Sequence, residues 1–395
     1  MIPNFAFYRT PGLRFGAGEF RNSARHAACF GKNLLIVIGR SSLRTSGRLG
    51  RLCDCLEQDA FRYAVVEIET EPSPEQIDAI VSDFRDKNIS LVIGVGGGSV
   101  IDAGKAVAAM LSIDGSVYDY LEGVGRKPFT GGTTAYLAMP TTAGTGSEAT
   151  ANAVLSRVAA DGFKKSLRHD SLVPDLAVID PELLLSCPRE VSAACGMDAL
   201  SQLLESYVST QASPITDSLA LSGLEYLSQS LVSACTTGRN DLAVRARTAY
   251  ASFISGVTLA NAGLGVVHGM AASLGGFFAI PHGVVCGSLL APSIRITIDK
   301  LKGAREESET VLRKFAAVGM LLRKCSPGDV EGGCEALVVE LYDLTERLEI
   351  PRLSDFGVTL SDIDRIVEKS GNKNNPVALS RNEMAMILRE RISSG

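Results

Sequence analysis

The segment "GMDALSQLLESY" (residues 196–207) sets Asp198 and Gln202 four residues apart in a run with helical periodicity. Positions i and i+4 share a helix face, with Cβ atoms about 5–6 Å apart, so both side chains can reach one ion. A carboxylate and an imidazole at that spacing would read as half of a metal site. Here the second position is an amide. Two histidines follow, His268 and His282, in the apolar, glycine-rich stretch "VVHGMAASLGGFFAIPHG" (266–283). Each of these residues also has a bland reading. A single His in an apolar helix usually satisfies its hydrogen bonds within a core, His282 could cap a turn, and Gln202 could bond a backbone carbonyl. Cys286, four residues after His282, reads as a buried small hydrophobe and not as a soft ligand.

A second chemistry lies in "GVGGGSVIDAGK" (94–105). Three consecutive glycines between an apolar run and a helix let backbone N–H groups approach a ligand with no Cβ in the way. The helix N-terminus adds partial positive charge and free donors, which suits a phosphate. Ser99 could cap that helix or donate to a phosphate oxygen. The spacing is neither G-x-G-x-x-G nor a Walker loop, so a tight strand-to-helix turn is the alternative. "PTTAGTGSEAT" (140–150) supplies the hydroxyls of Thr141, Thr142, Thr145 and Ser147 on a permissive backbone, again behind an apolar run. Two such loops after two strands of one sheet point to a dinucleotide crevice.

The elements that must position these groups follow from periodicity. "NLLIVIG" (33–39), "YAVVEIE" (63–69), "ISLVIGVGGGS" (89–99) and "TAYLAMP" (134–140) read as strands, the first continuously apolar as expected when both faces are covered. Between them lie helical segments at roughly 43–58, 73–87 and 100–111, the second opening with Ser and Pro. Such alternation specifies parallel βαβ units. Residues 151–180 look like a few extended segments. Beyond about 187 the texture turns helical, which predicts an α/β domain over 1–187 and a helical domain over 188–395.

Composition bounds the partners. The chain has 395 residues, 46% hydrophobic and 21% charged, enough for a large core. Net charge is -5 with no basic run, which leaves nucleic-acid binding without electrostatic support. No apolar run reaches the roughly 18 residues of a membrane span, and the N-terminus does not read as a secretion signal. Nine scattered cysteines without Cys-x-x-Cys suggest reduced thiols and a cytoplasmic protein.

Taken in order, "FGAG" (15–18), "GGGSVIDAGKAVA" (96–108), "MPTTAGTGSEAT" (139–150), "VPDLAVIDPEL" (173–183), "GMDAL" (196–200) and the stretch 266–283 resemble the iron-containing (group III) alcohol dehydrogenase family over most of the chain. The resemblance implies a Rossmann-like parallel-sheet domain, a helical domain, and NAD(P)(H) bound between them. It implies hydride transfer between nicotinamide C4 and the carbonyl carbon of a small alcohol–aldehyde or alcohol–ketone pair. Gly97, Gly98 and Ser99 would hold the pyrophosphate, and Thr141, Thr142, Thr145 and Ser147 would line the groove. Lys164, with Lys165 as the neighbouring choice, would lie near the cofactor ribose. Many NAD-using members carry Asp after the first strand. Here Gly39 stands there, followed by Arg40 and Ser41, which favours NADP(H) or dual use. A homodimer is expected by analogy.

The family's metal ligands, one Asp and three His, map to Asp198, Gln202, His268 and His282. A further family His maps to Ala272, which removes a proton-relay group. Three readings of the metal position follow. Asp198, His268 and His282 bind Fe²⁺ or Zn²⁺, with Gln202 or water as fourth ligand. Or the site is metal-free, as in the similar maleylacetate reductases, with His268 and His282 as hydrogen-bond donors to the carbonyl. Or the positions are structural and activity is lost. Outside simple oxidoreduction stand a dehydroquinate-synthase-like cyclase and a non-catalytic dinucleotide-binding protein.

Overall fold

Eight strands carry the N-terminal half: β1 (Gly12–Phe15), β2 (Asn33–Gly39), β3 (Arg62–Ile68), β4 (Leu91–Gly96), β5 (Ala135–Pro140), β6 (Asn152–Arg157), β7 (Phe163–Arg168) and β8 (Leu176–Ile179). The structure is a computed structural model and describes residues 4–303, 308–324 and 328–392. Six strands form one parallel sheet in the order β3-β2-β4-β5-β8-β1. β6 and β7 pair antiparallel as a separate ribbon. The extended segments expected over 151–180 are therefore a hairpin plus one strand of the main sheet. Nothing in the sequence reading anticipated β1, a four-residue edge strand paired to β8.

The sheet is covered on both faces, which explains its apolar strands. Leu34, Ile36 and Ile38 of β2 pack with Leu91, Ile93 and Val95 of β4 against Leu49, Leu52 and Leu56 of the Arg48–Gln58 helix. Leu35, Val37 and Val92 face the other way, towards Ile77 and Val81 of the Pro74–Phe84 helix and the Gly98–Met110 helix. Strand side chains alternate between faces, so each face takes every second residue. Ser73 caps the Pro74–Phe84 helix by accepting from the Gln76 N–H, with Pro in the first turn. The helical run expected at 43–58 is two helices, Ser42–Thr45 and Arg48–Gln58, broken at Gly47, whose φ of 69° is left-handed.

From β2 the chain moves to β3 on one side, then crosses to β4 on the other. That reversal opens a crevice at the carboxyl ends of β2 and β4. Gly39 ends β2 and Gly96 ends β4 at this point, with Gly97 and Gly98 opening the next helix.

A turn over Pro181–Ser186 leads from β8 to the Arg189–Tyr207 helix, and among the described residues no strand follows. Most of that helix is buried on every side, which makes it the centre of the helical half. It packs against the Pro214–Ser228, Leu242–Ala262 and His282–Lys302 helices. Ala177 and Ile179 of β8 join the same core, so the two halves share packing. Among the described residues no single helix is long and apolar enough to cross a membrane. Eight cysteines are free thiols; Cys325 lies outside the described residues.

Candidate active site

Three helices of the C-terminal half meet at one point. Asp198 lies midway along the Arg189–Tyr207 helix and is 1% exposed. His268 stands in the first turn of the Val266–Phe277 helix, and His282 is the first residue of the His282–Lys302 helix. The Leu242–Ala262 helix bends by 99° into the one bearing His268, through Gly263 at φ 70°. Gly265 completes that turn. A Cβ there would stand 2.8 Å from a Glu205 carboxylate oxygen, so only glycine lets Glu205 reach the start of the helix.

Glu205 uses that access twice. One oxygen accepts from the Val267 N–H at 2.7 Å; the other lies 2.6 Å from His268 Nδ1. Nδ1 thus carries its proton toward Glu205, and Nε2 faces the site. There Nε2 lies 3.3 Å from Asp198 Oδ1 and 3.5 Å from the Cys286 sulfur. His282 Nε2 is 3.9 Å from the same Asp198 oxygen and 3.7 Å from Cys286 Sγ. Asp198, His268, His282 and Cys286 each place one donor atom within 4.8 Å of all the others. Cys286 is therefore part of the cluster, contrary to its reading as a bystander. It sits one turn beyond His282, and the fold brings Asp198 and His268 to it from other helices.

The electrostatics suit a cation. Burial opposes the charged form of His268, but Cys286, Asp198 and Glu205 outweigh it and hold its pKa well above the ordinary value. Burial opposes the charged form of Asp198 too, yet the two histidines keep its carboxyl below the usual range. His282 is pushed down to about 4, first by burial and then by Lys164 and His268 against Asp198. It is neutral near pH 7, the form in which imidazole binds a metal. Burial raises the Cys286 thiol to about 12, with His268 opposing. A buried carboxylate, two imidazoles and a thiol form a donor set that fits Zn²⁺ or Fe²⁺.

Gln202 lies on the same helix as Asp198 and is buried. Its side-chain oxygen accepts from the Ser255 hydroxyl at 2.7 Å. The remaining histidines are satisfied elsewhere: His26 by Glu19 at 2.9 Å, His169 by Ser171 at 2.8 Å. Ala272 is half-buried one turn beyond His268.

On the nucleotide side, Gly97 begins the Gly98–Met110 helix with no side-chain cap, so its first N–H groups lack a side-chain acceptor. Ser99 donates to Glu71 at 3.4 Å and does not cap. The two loops lie against each other at Gly97–Gly98. A Cβ on Gly98 would sit 2.6 Å from Thr145, and one on Gly97 would touch Thr142 at 3.5 Å. Thr141 is buried behind them. Ser147 points inward, donating to Asp102, which also accepts from the Val154 N–H at 3.1 Å. The hydroxyl expected to line the groove is therefore engaged in holding the loop, and Asp102 pairs locally. Lys164 and its neighbour Lys165 differ in their surroundings. Its ammonium is 3.0 Å from Glu71, beside Gly275 of the His268 helix, while Lys165 is exposed. Gly39, Arg40 and Ser41 lie at the crevice edge, the last two exposed.

A nucleotide crevice and a carboxylate–histidine cluster thus sit on one sheet-plus-helix frame, and comparison with known proteins agrees. The profile "Iron-containing alcohol dehydrogenase" matches residues 11–181, and "Fe-containing alcohol dehydrogenase family, C-terminal" matches residues 192–392. The chain belongs to the iron-containing alcohol dehydrogenase family. Alcohol dehydrogenase 4 of Saccharomyces cerevisiae is 30% identical over 391 residues, 97% of each chain. A 1,3-propanediol dehydrogenase of Citrobacter freundii is 32% identical over 99% of this chain and 97% of its own. A solved 1,3-propanediol oxidoreductase superposes with a TM-score of 0.88 at 28% identity, covering 98% of this chain and 100% of its own. As a member of this NAD(P)-dependent, metal-binding family, the chain is an alcohol dehydrogenase interconverting an alcohol and a carbonyl compound.

Glu205 has no role in the sequence reading, and Cys286 reads there only as a small hydrophobe. Glu205 follows Asp198 by seven residues, on the same helical stripe as Gln202, and that spacing was a usable signal.

Proposed function

We propose that this alcohol dehydrogenase works with a divalent ion held by Asp198, His268 and His282, and takes its hydride from, or gives it to, NADP(H) in preference to NAD(H). The observation that supports metal assistance is the convergence of these donors in a buried site with Glu205 fixing the His268 tautomer. A metal-free mechanism would leave Asp198 only the task of holding His268 protonated.

An ion bound there would polarise the substrate oxygen as a Lewis acid. The chain's own residues supply the rest. The N–H groups at Gly98 and Ser99, without a side-chain cap, would receive the cofactor pyrophosphate, and Gly97 and Gly98 would let it approach the backbone. Thr141, Thr142 and Thr145 shape the wall opposite. Lys164 crosses from β7 toward the His268 helix and orients the cofactor ribose. A cofactor held by these contacts would supply the hydride acceptor or donor for the substrate carbon. Oxidation of the alcohol releases one proton. Neutral His282 is half-buried at the cluster edge, and with Ala272 in place of a second base the proton would have to leave by way of water or a cofactor hydroxyl. The absence of a carboxylate at Gly39 and the exposed Arg40 guanidinium favour a 2′-phosphate.

The test is elemental analysis of protein purified without chelator, with oxidation of NADPH and NADH by aldehydes before and after chelation. About one ion per chain and chelator-sensitive turnover are expected. Full turnover by metal-free protein would refute the Lewis-acid reading and make His268 and His282 the electrophilic groups.

A further inference from the structure

We propose that Cys286 is the fourth protein ligand of the metal in this enzyme, taking over the position that Gln202 leaves unfilled. The inference rests on the metal-assisted reading above and specifies its coordination.

Geometry is the first argument. In a tetrahedral zinc site, bonds of about 2.0–2.1 Å to nitrogen or oxygen and 2.3 Å to sulfur imply edges of about 3.3 Å between N and O donors and about 3.5 Å between N and S donors. The cluster has Asp198–His268 at 3.3 Å and Asp198–His282 at 3.9 Å. Its sulfur edges are 3.5 Å to His268 and 3.7 Å to His282. Four of the six edges of a tetrahedron are thus within about 0.6 Å of these lengths, and all four donor atoms lie within 4.8 Å of one another. A shift of a few tenths of an ångström brings the longer edges in.

The second argument is what Gln202 does instead. Its oxygen, the side chain's one competent donor, is bonded to Ser255, whose hydroxyl also contacts the Ser252 carbonyl at 2.8 Å. The amide is built into the contact between its own helix and the Leu242–Ala262 helix. Cys286 has no such engagement. It is fully buried, and its sulfur is in contact with the other donors of the cluster, the two histidines and Asp198.

Third, the exchange changes the chemistry coherently. A set of Asp, two neutral His and a thiolate carries two negative charges and neutralises a divalent ion, where a third His would leave one positive charge. A thiolate is a soft donor, which moves preference toward zinc among the ions the site could take.

The experiment is cobalt substitution of the full-length apoprotein, read by absorption and by metal content. Cobalt bound by thiolate gives an intense near-ultraviolet sulfur-to-metal charge-transfer band; cobalt bound by nitrogen and oxygen alone gives none. We expect one cobalt per chain with that band, its loss in Cys286→Ser and Cys286→Ala, and at least a tenfold drop in affinity in both. Gln202→Ala should keep both the band and the stoichiometry. One cobalt per chain without the band, or a band that survives in Cys286→Ala, would overturn Cys286 ligation and leave the metal-assisted reading standing. No cobalt bound by the wild type would overturn both. Two Cys286 variants guard against misfolding, since Ser preserves the volume and both can be checked by circular dichroism.

Discussion

Glu205→Gln is the sharpest probe of how this site is held. The carboxylate accepts two hydrogen bonds, from the Val267 N–H at 2.7 Å and at His268 Nδ1 at 2.6 Å, and it is 2% exposed. Glutamine is nearly isosteric but offers one acceptor oxygen and one NH₂ donor. If its oxygen stays with Val267, the NH₂ meets Nδ1, and His268 must shift its proton to Nε2, the atom that faces Asp198 and Cys286. If the oxygen turns to His268, the NH₂ meets the Val267 N–H. Either orientation loses one bond to a charged acceptor, worth about 1.5–3 kcal/mol. The first also blocks the ligating nitrogen. Outer-sphere changes of this kind typically cost about 10- to 100-fold in metal affinity or activity. Zinc affinity is measured by competition with a chromophoric chelator, alongside urea unfolding of the apoprotein. The expected result is at least tenfold weaker zinc binding in a folded variant. Zinc affinity within twofold of wild type would refute the idea that Glu205 sets the tautomer.

Three further outcomes follow from the nucleotide side. Gly98→Ala puts a Cβ 2.6 Å from the Thr145 methyl and 3.1 Å from its Cβ, which rotation cannot relieve. Overpacking of about 1–3 kcal/mol should weaken NAD(P)H binding by roughly 5- to 150-fold, read by cofactor fluorescence; unchanged binding would mean the two loops yield freely. Arg40→Ala should weaken NADPH by about 10- to 100-fold and leave NADH nearly unchanged; equal loss for both would show that Arg40 does not meet a 2′-phosphate. Glu148 is buried and its carboxyl is pushed up to about 7 by that burial. Between its unfolded value near 4.5 and 7 the folded state holds the extra proton. Its contribution is therefore fully present at low pH and is lost as pH rises through that window, by about 2–3 kcal/mol from pH 5 to pH 8. Urea unfolding of the wild type against Glu148→Gln should show the wild type losing that much relative to the variant; a pH-independent difference would contradict it.

Much of the frame was legible because its causes are local. The continuous apolar runs at 33–39 and 89–96 are buried on both faces, and the Ser73–Pro74 cap is a short-range signal. The triple glycine also permits a close loop contact, Gly98 against Thr145. What stayed hidden depends on long-range geometry. β1 is four exposed residues whose partner lies about 160 positions away. The 99° bend before His268 follows from Gly263 and Gly265, whose meaning appears only with Glu205 in place. Cys286 reads in the sequence as a small buried hydrophobe, and only the fold brings three other donor atoms to it.

The Ser147–Asp102 contact shows why a polar motif does not divide into ligand contacts by composition alone. Lys105 is 1% exposed and spends its three donors on the Ser147 carbonyl at 2.9 Å, the Thr150 hydroxyl at 2.8 Å and the Asn152 carbonyl, with Asp102 3.4 Å away. Asp102 in turn holds the Ser147 hydroxyl and the Val154 N–H. The Gly98–Met110 helix is thereby tied to the 140–150 loop and to β6. A buried ion pair adds little net stability over an apolar one, but when every valence is met it fixes one arrangement. The hydroxyls of Thr142 and Thr145 then face the glycines from a loop that does not drift, because Ser147 is held from below. The same sequence stretch thus supplies both the groove and its anchor, and the anchor is what makes a close glycine contact at Gly98 sustainable.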